Sequence, residues 1–222
     1  MTDNSSSRIG TIQASSPRHD GAAETGAPAP LSVGPATLEE APQVVDVITT
    51  AFRHDPTWSW AFPDPAARRR WWELCTRSAL RYPWVLRTSG FEAVSVWIPP
   101  DGIELTVEEE RRLPQLLSDL VGTRAAEVAE LLRRFGEAHP RDEPHYYLSL
   151  LATADAHRGR GLGVALLREN LARIDAERRP AYLESSNPQN NPRYEALGFT
   201  PVVSFQAPGE GPVVTGMWRQ GR

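Results

Sequence analysis

From residue 31 onward the chain switches between helical and alternating hydrophobic periods. Leu31–Pro35 reads as a short first strand. Thr37-Leu38-Glu39-Glu40 is a capping-box pattern, and Val44, Val45, Val47, Ile48 and Phe52 follow it at helical spacing. Trp71, Trp72, Leu74 and Leu80 mark a second helix from Pro65 to about Arg81. Val85–Thr88 and Phe91–Ile98 predict a hairpin that turns at Ser89-Gly90. A second capping box, Thr106-Val107-Glu108-Glu109, opens helical segments to about Phe135, and a proline-containing linker runs from His139 to Pro144. The final third predicts a strand over His145–Ala154, a polar glycine-rich loop over Asp155–Gly163 and a helix carrying Leu166, Leu167, Leu171 and Ile174. A strand at Ala181–Ser186, a turn at Asn187–Pro192 and a short helix at Tyr194–Leu197, stopped by Gly198, come next. Phe199–Gln206 and Val213–Trp218 close the chain as strands. Residues 1 to about 30, rich in Ser, Ala, Gly, Pro and Thr, show no period and read as a disordered tail before a domain over 31–222.

Composition narrows the class. A chain of 222 residues suits one domain, and 40% apolar with 23% charged residues suits a soluble globular protein. No stretch approaches the roughly 18 apolar residues of a membrane helix, and no basic-then-apolar leader opens the chain. A lone cysteine, Cys75, excludes an internal disulfide framework and fits a reducing, cytoplasmic setting. It also sits inside a helical pattern, where a buried, inert thiol is expected. The net charge of −4 argues against a nucleic-acid partner. The five histidines show no metal-ligand spacing, so no metal is expected. All 24 basic residues are arginine, as a GC-rich bacterial genome would favour. Without lysine there is no Schiff base and no P-loop lysine, so any phosphate clamp must use arginine forks and backbone amides.

Arg158-Gly159-Arg160-Gly161-Leu162-Gly163 lies between a strand and a helix. The first turn of a helix has unpaired N–H groups and partial positive charge, and glycines let that backbone approach an anion. Arg158 and Arg160 add charge-assisted donors, so the loop predicts a pyrophosphate ligand. It is not a Walker loop, because Gly-Lys-Ser/Thr is missing. It is not a dinucleotide fingerprint either, because Val164 stands where the third glycine belongs. The blander alternative is a solvated Arg/Gly turn.

The segment Ala152–Leu167 resembles the acetyl-CoA motif of GNAT-family N-acetyltransferases. Tyr182–Phe199 resembles that family's next element, a strand ending near Asn followed by Tyr-x-x-x-Gly-Phe. Within the family, Glu143-Pro144, Leu183–Ser186 and Tyr194–Phe199 are most similar to antibiotic acetyltransferases of the puromycin N-acetyltransferase type. The resemblance covers about 144–220; residues 31–140 match only in layout. It implies an α/β fold with a central mixed, mostly antiparallel sheet and helices on both faces. It also implies acetyl-CoA as co-substrate and a small-molecule amine as acceptor, such as an antibiotic or aminonucleoside-like compound. Leu151, Ala152 and Thr153 would offer backbone groups to the pantetheine arm. Gly159, Arg160, Gly161, Leu162, Gly163 and Val164 would hold the pyrophosphate, with Arg158 at the mouth of the loop. Asn187 and Asn190 would contact CoA, and Tyr194 would protonate the departing thiolate. Two departures stand out. Thr153-Ala154-Asp155 replaces the usual Val-Asp-Pro, which predicts a looser start to the loop, and Arg193 replaces the Phe or Leu before the tyrosine.

Acetyl transfer to an amine requires loss of the ammonium proton, a polarised thioester carbonyl and a leaving thiolate. Glu184 is the candidate base, directly or through water; the alternative is a structural carboxylate or a charge that only binds the ammonium. A backbone N–H of residues 151–153 is the candidate oxyanion donor. Tyr194 is the candidate acid, or else an aromatic that anchors a short helix. Trp58, Trp60, Phe62, Trp71, Trp72 and Trp84 either line an aromatic acceptor pocket or pack the core. His54-Asp55 and His145 are weaker substrate candidates, and Arg68–Arg70 reads as a solvated helix face. No strongly acidic groove is evident, which favours an apolar or aromatic amine over a histone-like tail. A GNAT fold that senses acyl-CoA or a drug without turnover is the competing reading, as is, less favourably, a nucleotide-dependent oxidoreductase.

Overall fold

Alternation along each strand gives the sheet two apolar faces, and helices cover both. The computed structural model describes residues 31–222, so the expected N-terminal tail lies outside the described residues. The elements run β1 (Val33–Pro35), α1 (Ala41–Ala51), α2 (Pro56–Ala61), α3 (Pro65–Ala79), β2 (Val85–Thr88), β3 (Ala93–Ile98), α4 (Val107–Val121) and α5 (Ala125–Ala138). They continue with β4 (Tyr146–Thr153), α6 (Leu162–Ala176), β5 (Ala181–Ser185), α7 (Asn191–Glu195), β6 (Thr200–Gln206) and β7 (Val213–Arg219). The seven strands lie in the order β1-β2-β3-β4-β5-β7-β6. Only β4 and β5 are parallel; every other neighbouring pair is antiparallel. This is the mixed, mostly antiparallel sheet that the sequence motifs imply.

On one face, Val94, Val96, Leu150 and Ala152 pack against Val44 and Ile48 of α1, Trp72 of α3, Leu117 of α4 and Leu131 of α5. On the other, Trp97, Tyr146 and Leu148 pack against Leu167, Leu171 and Ile174 of α6. Asn170 of α6 is buried there and accepts from Ser95 Oγ at 2.7 Å and Trp97 Nε1 at 2.9 Å, which pins the helix to β3. Arg219 of β7, 4% exposed, grips Asp175 of α6 through two 2.7 Å bonds.

Two features of β4 position the site. Val96 pairs with Leu150 but Trp97 pairs with Leu148, which leaves Ser149 as a bulge. The bulge reverses the alternation: Leu148 faces α6, whereas Leu150 faces the opposite layer. The second feature is where β4 leaves β5. The parallel pairing covers only Tyr146–Leu148 against Ala181–Leu183, so the rest of β4 parts from β5.

The predicted elements are present with small shifts at their ends. One helix, α2, has no apolar period long enough to mark it, but Asp55-Pro56 is a helix-start signal. Asp55 Oδ1 accepts from Thr57 N and Trp58 N at 3.1 and 3.0 Å. Arg68 departs from the expected solvated face: it is buried and donates to Ser59 Oγ at 2.7 Å, bracing α3 against α2.

Candidate active site

The glycine loop owes its shape to backbone conformations that side chains disfavour. Gly159 and Gly161 have φ of +76° and +74°. Gly161 is the N-cap of α6, and no side chain caps that helix start. The N–H groups of the first turn and the positive end of a 15-residue helix are thus left for an anion. Gly163 has a different reason: a Cβ there would lie 2.5 Å from Thr153 Oγ1, so glycine lets α6 start against the end of β4. Arg158 is turned onto the protein, donating to Ala51 O at 2.6 Å and pairing with Asp155 at 3.0 Å. Asp155 also pairs with Arg53, so the start of the loop is braced rather than loosened by the Thr153-Ala154-Asp155 replacement. Arg160 donates to His157 Nδ1 at 2.9 Å at the exposed rim of the loop.

Beyond Leu148 the β5-facing edge of β4 has no strand beside it among the described residues, and Leu151, Ala152 and Thr153 lie on that free stretch. Leu151 lines a small cavity of about 60 Å³ together with Tyr194, Asn190, Glu184, Asp55 and Trp58. The Tyr194 hydroxyl is protonated at neutral pH, because burial, and secondarily the Asp55 carboxylate, push its pKa up to about 12. Asn190 accepts from Arg193 at 2.7 Å, so the unusual arginine holds this asparagine. Asn187 accepts from Gln189 N and caps the turn before α7; it does not line the cavity.

Glu184 also lines a second, larger cavity of about 530 Å³. Trp58, Trp71, Trp72 and Phe135 form its aromatic wall, and Glu104, His139, His145, Tyr147 and Ser149 add its polar groups. Trp58 stacks on Phe135 with ring centroids 5.7 Å apart and meets Trp72 edge-on at 4.9 Å. Its helix is tied to the end of β5, since Ser186 Oγ donates to Asp55 and Thr57 Oγ1 to Ser186 O, both at 2.7 Å. The other aromatic candidates lie elsewhere. Phe62 is fully buried in the core, Trp60 lies under Arg124, and Trp84 packs on Tyr146. Cys75 is buried, and burial pushes its thiol pKa well up, so it is inert as a nucleophile. His54 is exposed.

Hydrogen-bond logic assigns the protons around Glu184. His145 Nδ1 lies 2.8 Å from Glu143 O, so this nitrogen must carry the hydrogen. Burial lowers the His145 pKa, which keeps the ring neutral and leaves Nε2 as an acceptor. His139 Nε2, 3.1 Å from that nitrogen, must then donate. The remaining nitrogen of His139, Nδ1, lies 3.6 Å from Glu184 Oε1. Glu184 has a side chain only 2% exposed, and its Oε2 is buried without a hydrogen-bond partner. The Tyr147 and Tyr182 hydroxyls lie beside this carboxylate, and its unpartnered Oε2 is left for a further donor such as an ammonium group.

Sequence reasoning missed Glu104, His139, Tyr147 and Ser149. Glu104 accepts a short hydrogen bond from Ser149 Oγ. Its carboxyl is held above the usual range by burial, with Glu184 adding to the rise. The four come from three separate segments and have no common spacing, so only the proline-punctuated linker that begins at His139 gave a hint.

Comparison with known proteins agrees with this geometry. Residues 100–199 match the model of the acetyltransferase (GNAT) family, so the chain carries a GNAT-family acetyltransferase domain. A Corynebacterium glutamicum protein described as histone acetyltransferase HPA2 and related acetyltransferase is 28% identical, with 87% of this chain and 97% of that chain covered and a TM-score of 0.58. The fold is shared with arylalkylamine N-acetyltransferase 2 from Aedes aegypti, at 11% identity, 86% and 99% coverage and a TM-score of 0.62. It is shared too with a Drosophila melanogaster polyamine N-acetyltransferase that forms N-acetylagmatine, at 16% identity, 86% and 99% coverage and a TM-score of 0.58. The protein is an acyl-CoA-dependent N-acetyltransferase. No helix among the described residues is long and apolar enough to cross a membrane.

Proposed function

We propose that residues 31–222 act as one domain that transfers an acetyl group from acetyl-CoA to the amine of a small molecule with an apolar or aromatic body. The observation that carries this reading is the position of Glu184. It faces both the small cavity that holds Tyr194 and the free edge of β4, and the large cavity walled by tryptophans. A group at that junction can meet an acetyl donor on one side and an amine on the other. The open α6 N-terminus and the Gly159–Val164 backbone bind the pyrophosphate, with Arg160 and Arg158 at the rim. Leu151, Ala152 and Thr153 present backbone groups to the pantetheine arm, and a free N–H on this stretch stabilises the developing oxyanion. Asn190 contacts CoA from the small cavity, and Asn187 shapes the turn that carries it.

The incoming ammonium docks at the unpartnered Oε2 of Glu184, beside His139. Glu184 takes its proton, with His139 Nδ1 beside it to share the charge. Tyr194 donates to the leaving sulfur; a tyrosine raised to about 12 is a weak acid, so its part is a hydrogen bond that strengthens as thiolate charge develops. A cavity of about 530 Å³ is the size of a small-molecule site and supports a compact acceptor over an extended tail. Antibiotics and aminonucleosides with aromatic bodies fall within this class.

The test is thiol release from acetyl-CoA across a panel of aromatic amines, aminonucleosides and basic peptides, with calorimetry against acetyl-CoA, NAD and ATP. Acetyl-CoA binding with turnover of small amines is expected. Tight NAD or ATP binding without a CoA response, or peptides outrunning every small amine, refutes the reading. Acetyl-CoA binding without turnover of any amine favours a sensor instead.

A further inference from the structure

The acidic residues of this chain form no run in the sequence, yet the fold gathers Asp101, Glu104, Glu110, Glu143 and Glu184 around the large cavity. This overturns the expectation that no acidic groove exists. Among the described residues Arg141 is the one arginine lining the same cavity, and it is exposed and donates to Gly136 O at 2.9 Å. Glu104 and Glu184 are the inner pair. Ser149, which binds Glu104, follows Leu148, and Glu184 follows Leu183, the last register pair before β4 and β5 part. The two carboxylates therefore converge on one fork in the sheet.

Charge accounting at this fork is incomplete. A buried carboxylate is costly unless a cation or several donors meet it. Glu184 has His139 at 3.6 Å and an Oε2 with no partner. Glu104 has the Ser149 hydroxyl, with His139 and Arg81 acting on it from a distance and no basic side chain in direct ion-pair contact with it among the described residues. One ammonium at Glu184 would leave the second carboxylate without a directly paired cation. Burial, and then the neighbouring Glu184, hold the Glu104 pKa up against the opposing pull of its Ser149 bond, His139 and Arg81, so a cation that reaches both carboxylates would be favoured. The walls decide what kind of cation fits. A wall of Trp58, Trp72 and Phe135 suits an organic ammonium on an apolar body better than a hydrated metal ion.

We infer that the acceptor is a dication: a compact diamine whose reacting nitrogen sits at Glu184 and whose second cationic group is held by Glu104. The inference rests on the acetyl-transfer reading for the identity of the reacting nitrogen, but the cation site itself does not depend on catalysis. Glu104 is thus a specificity residue that selects doubly charged amines from the singly charged ones the aromatic wall would also accept.

A matched pair of probes tests it. 1,4-Bis(aminomethyl)benzene and 4-methylbenzylamine have nearly the same body and differ by the second ammonium. Their affinities are measured by calorimetry at low salt, and their acetylation by thiol release. Wild type should bind the diamine at least about tenfold more tightly, the scale of one charge-assisted contact in a partly desolvated site. In Glu104→Gln, which keeps the bond to Ser149, that ratio should fall to within about threefold of unity, and Glu104→Asp should restore part of it. Asp119→Asn, a surface change of equal charge on α4, should keep the wild-type ratio. A wild-type ratio near one, or a ratio that survives Glu104→Gln, overturns the inference. Acetylation of both probes with equal affinity refutes the dication and leaves amine acetylation standing. A preserved affinity ratio with no acetylation of either probe does the reverse.

Discussion

The two ends of β4 serve two ligands by different physical means. At its C-terminal end, beyond the fork, the site is made of backbone: the free strand edge, two left-handed glycines and an uncapped helix. At the fork itself and toward the linker before β4, the site is made of side chains drawn from α2, α3, α5, β4, β5 and the loop before α4. A site read by backbone needs particular residues at particular local positions, because glycine adopts this geometry at the least cost. A site read by side chains needs only that distant residues converge. The first leaves a motif; the second leaves none.

Four measurements probe this division. Glu184→Gln keeps the shape of the junction and removes its base, so kcat should fall by roughly 10²–10⁴ while acetyl-CoA affinity is little changed. Equal losses in both would mean that the two halves cannot be separated at this residue, and an unchanged kcat would leave Glu184 as a pocket charge. Gly161→Asp attacks the backbone half alone. Left-handed strain of roughly 1–2 kcal/mol and repulsion of the pyrophosphate should weaken acetyl-CoA binding at least about 100-fold, with the fold intact by circular dichroism. Unchanged affinity in a folded variant removes the loop from the site.

Tyr194→Phe keeps the ring and removes the hydroxyl. Where chemistry limits turnover, kcat should drop at least about tenfold with the KM for acetyl-CoA nearly constant, the signature of a contact made in the transition state. A variant with full kcat under those conditions would assign the proton to water. The smallest effect concerns the scaffold that aims the loop. The two bonds from Arg219 hold the Asp175 carboxyl below its ordinary range. Such a group adds stability above its unfolded value of about 3.9 and loses it as pH falls through the folded value. Asp175→Asn should therefore cost about 1–2 kcal/mol at pH 7, a few degrees in Tm, and the gap to wild type should close in acid. A gap that persists at about pH 2 would mean that packing, not charge, is lost.

Local chemistry was legible in the amino-acid order. The capping box at Thr106, the hairpin over residues 85–98 and the strand–glycine loop–helix succession all rest on neighbours within a few residues, and the structure places them there. At Thr37 the reciprocal bonds with Glu40 form, but they close a turn ahead of α1, whose N-cap is Glu40 with no side-chain cap. The short helix at Pro56–Ala61 escaped because six residues hold too little of a period, though Asp55-Pro56 signalled its start. Arg68 escaped because its burial depends on Ser59, nine positions away on another helix.

What the chain determines by itself is the pyrophosphate cradle, since positive φ at Gly159 and Gly161 and close contact at Gly163 allow few other residues. The tertiary structure alone decided the acceptor side. The bulge at Ser149 reverses which residues of β4 face the cavity, so no alternation pattern in residues 146–153 could show it. Glu104 and Glu184, 80 positions apart in the chain, meet only because β4 parts from β5 after Leu148 and Leu183. Charges that are scattered and solvated in the sequence become a single field when folding removes the water between them.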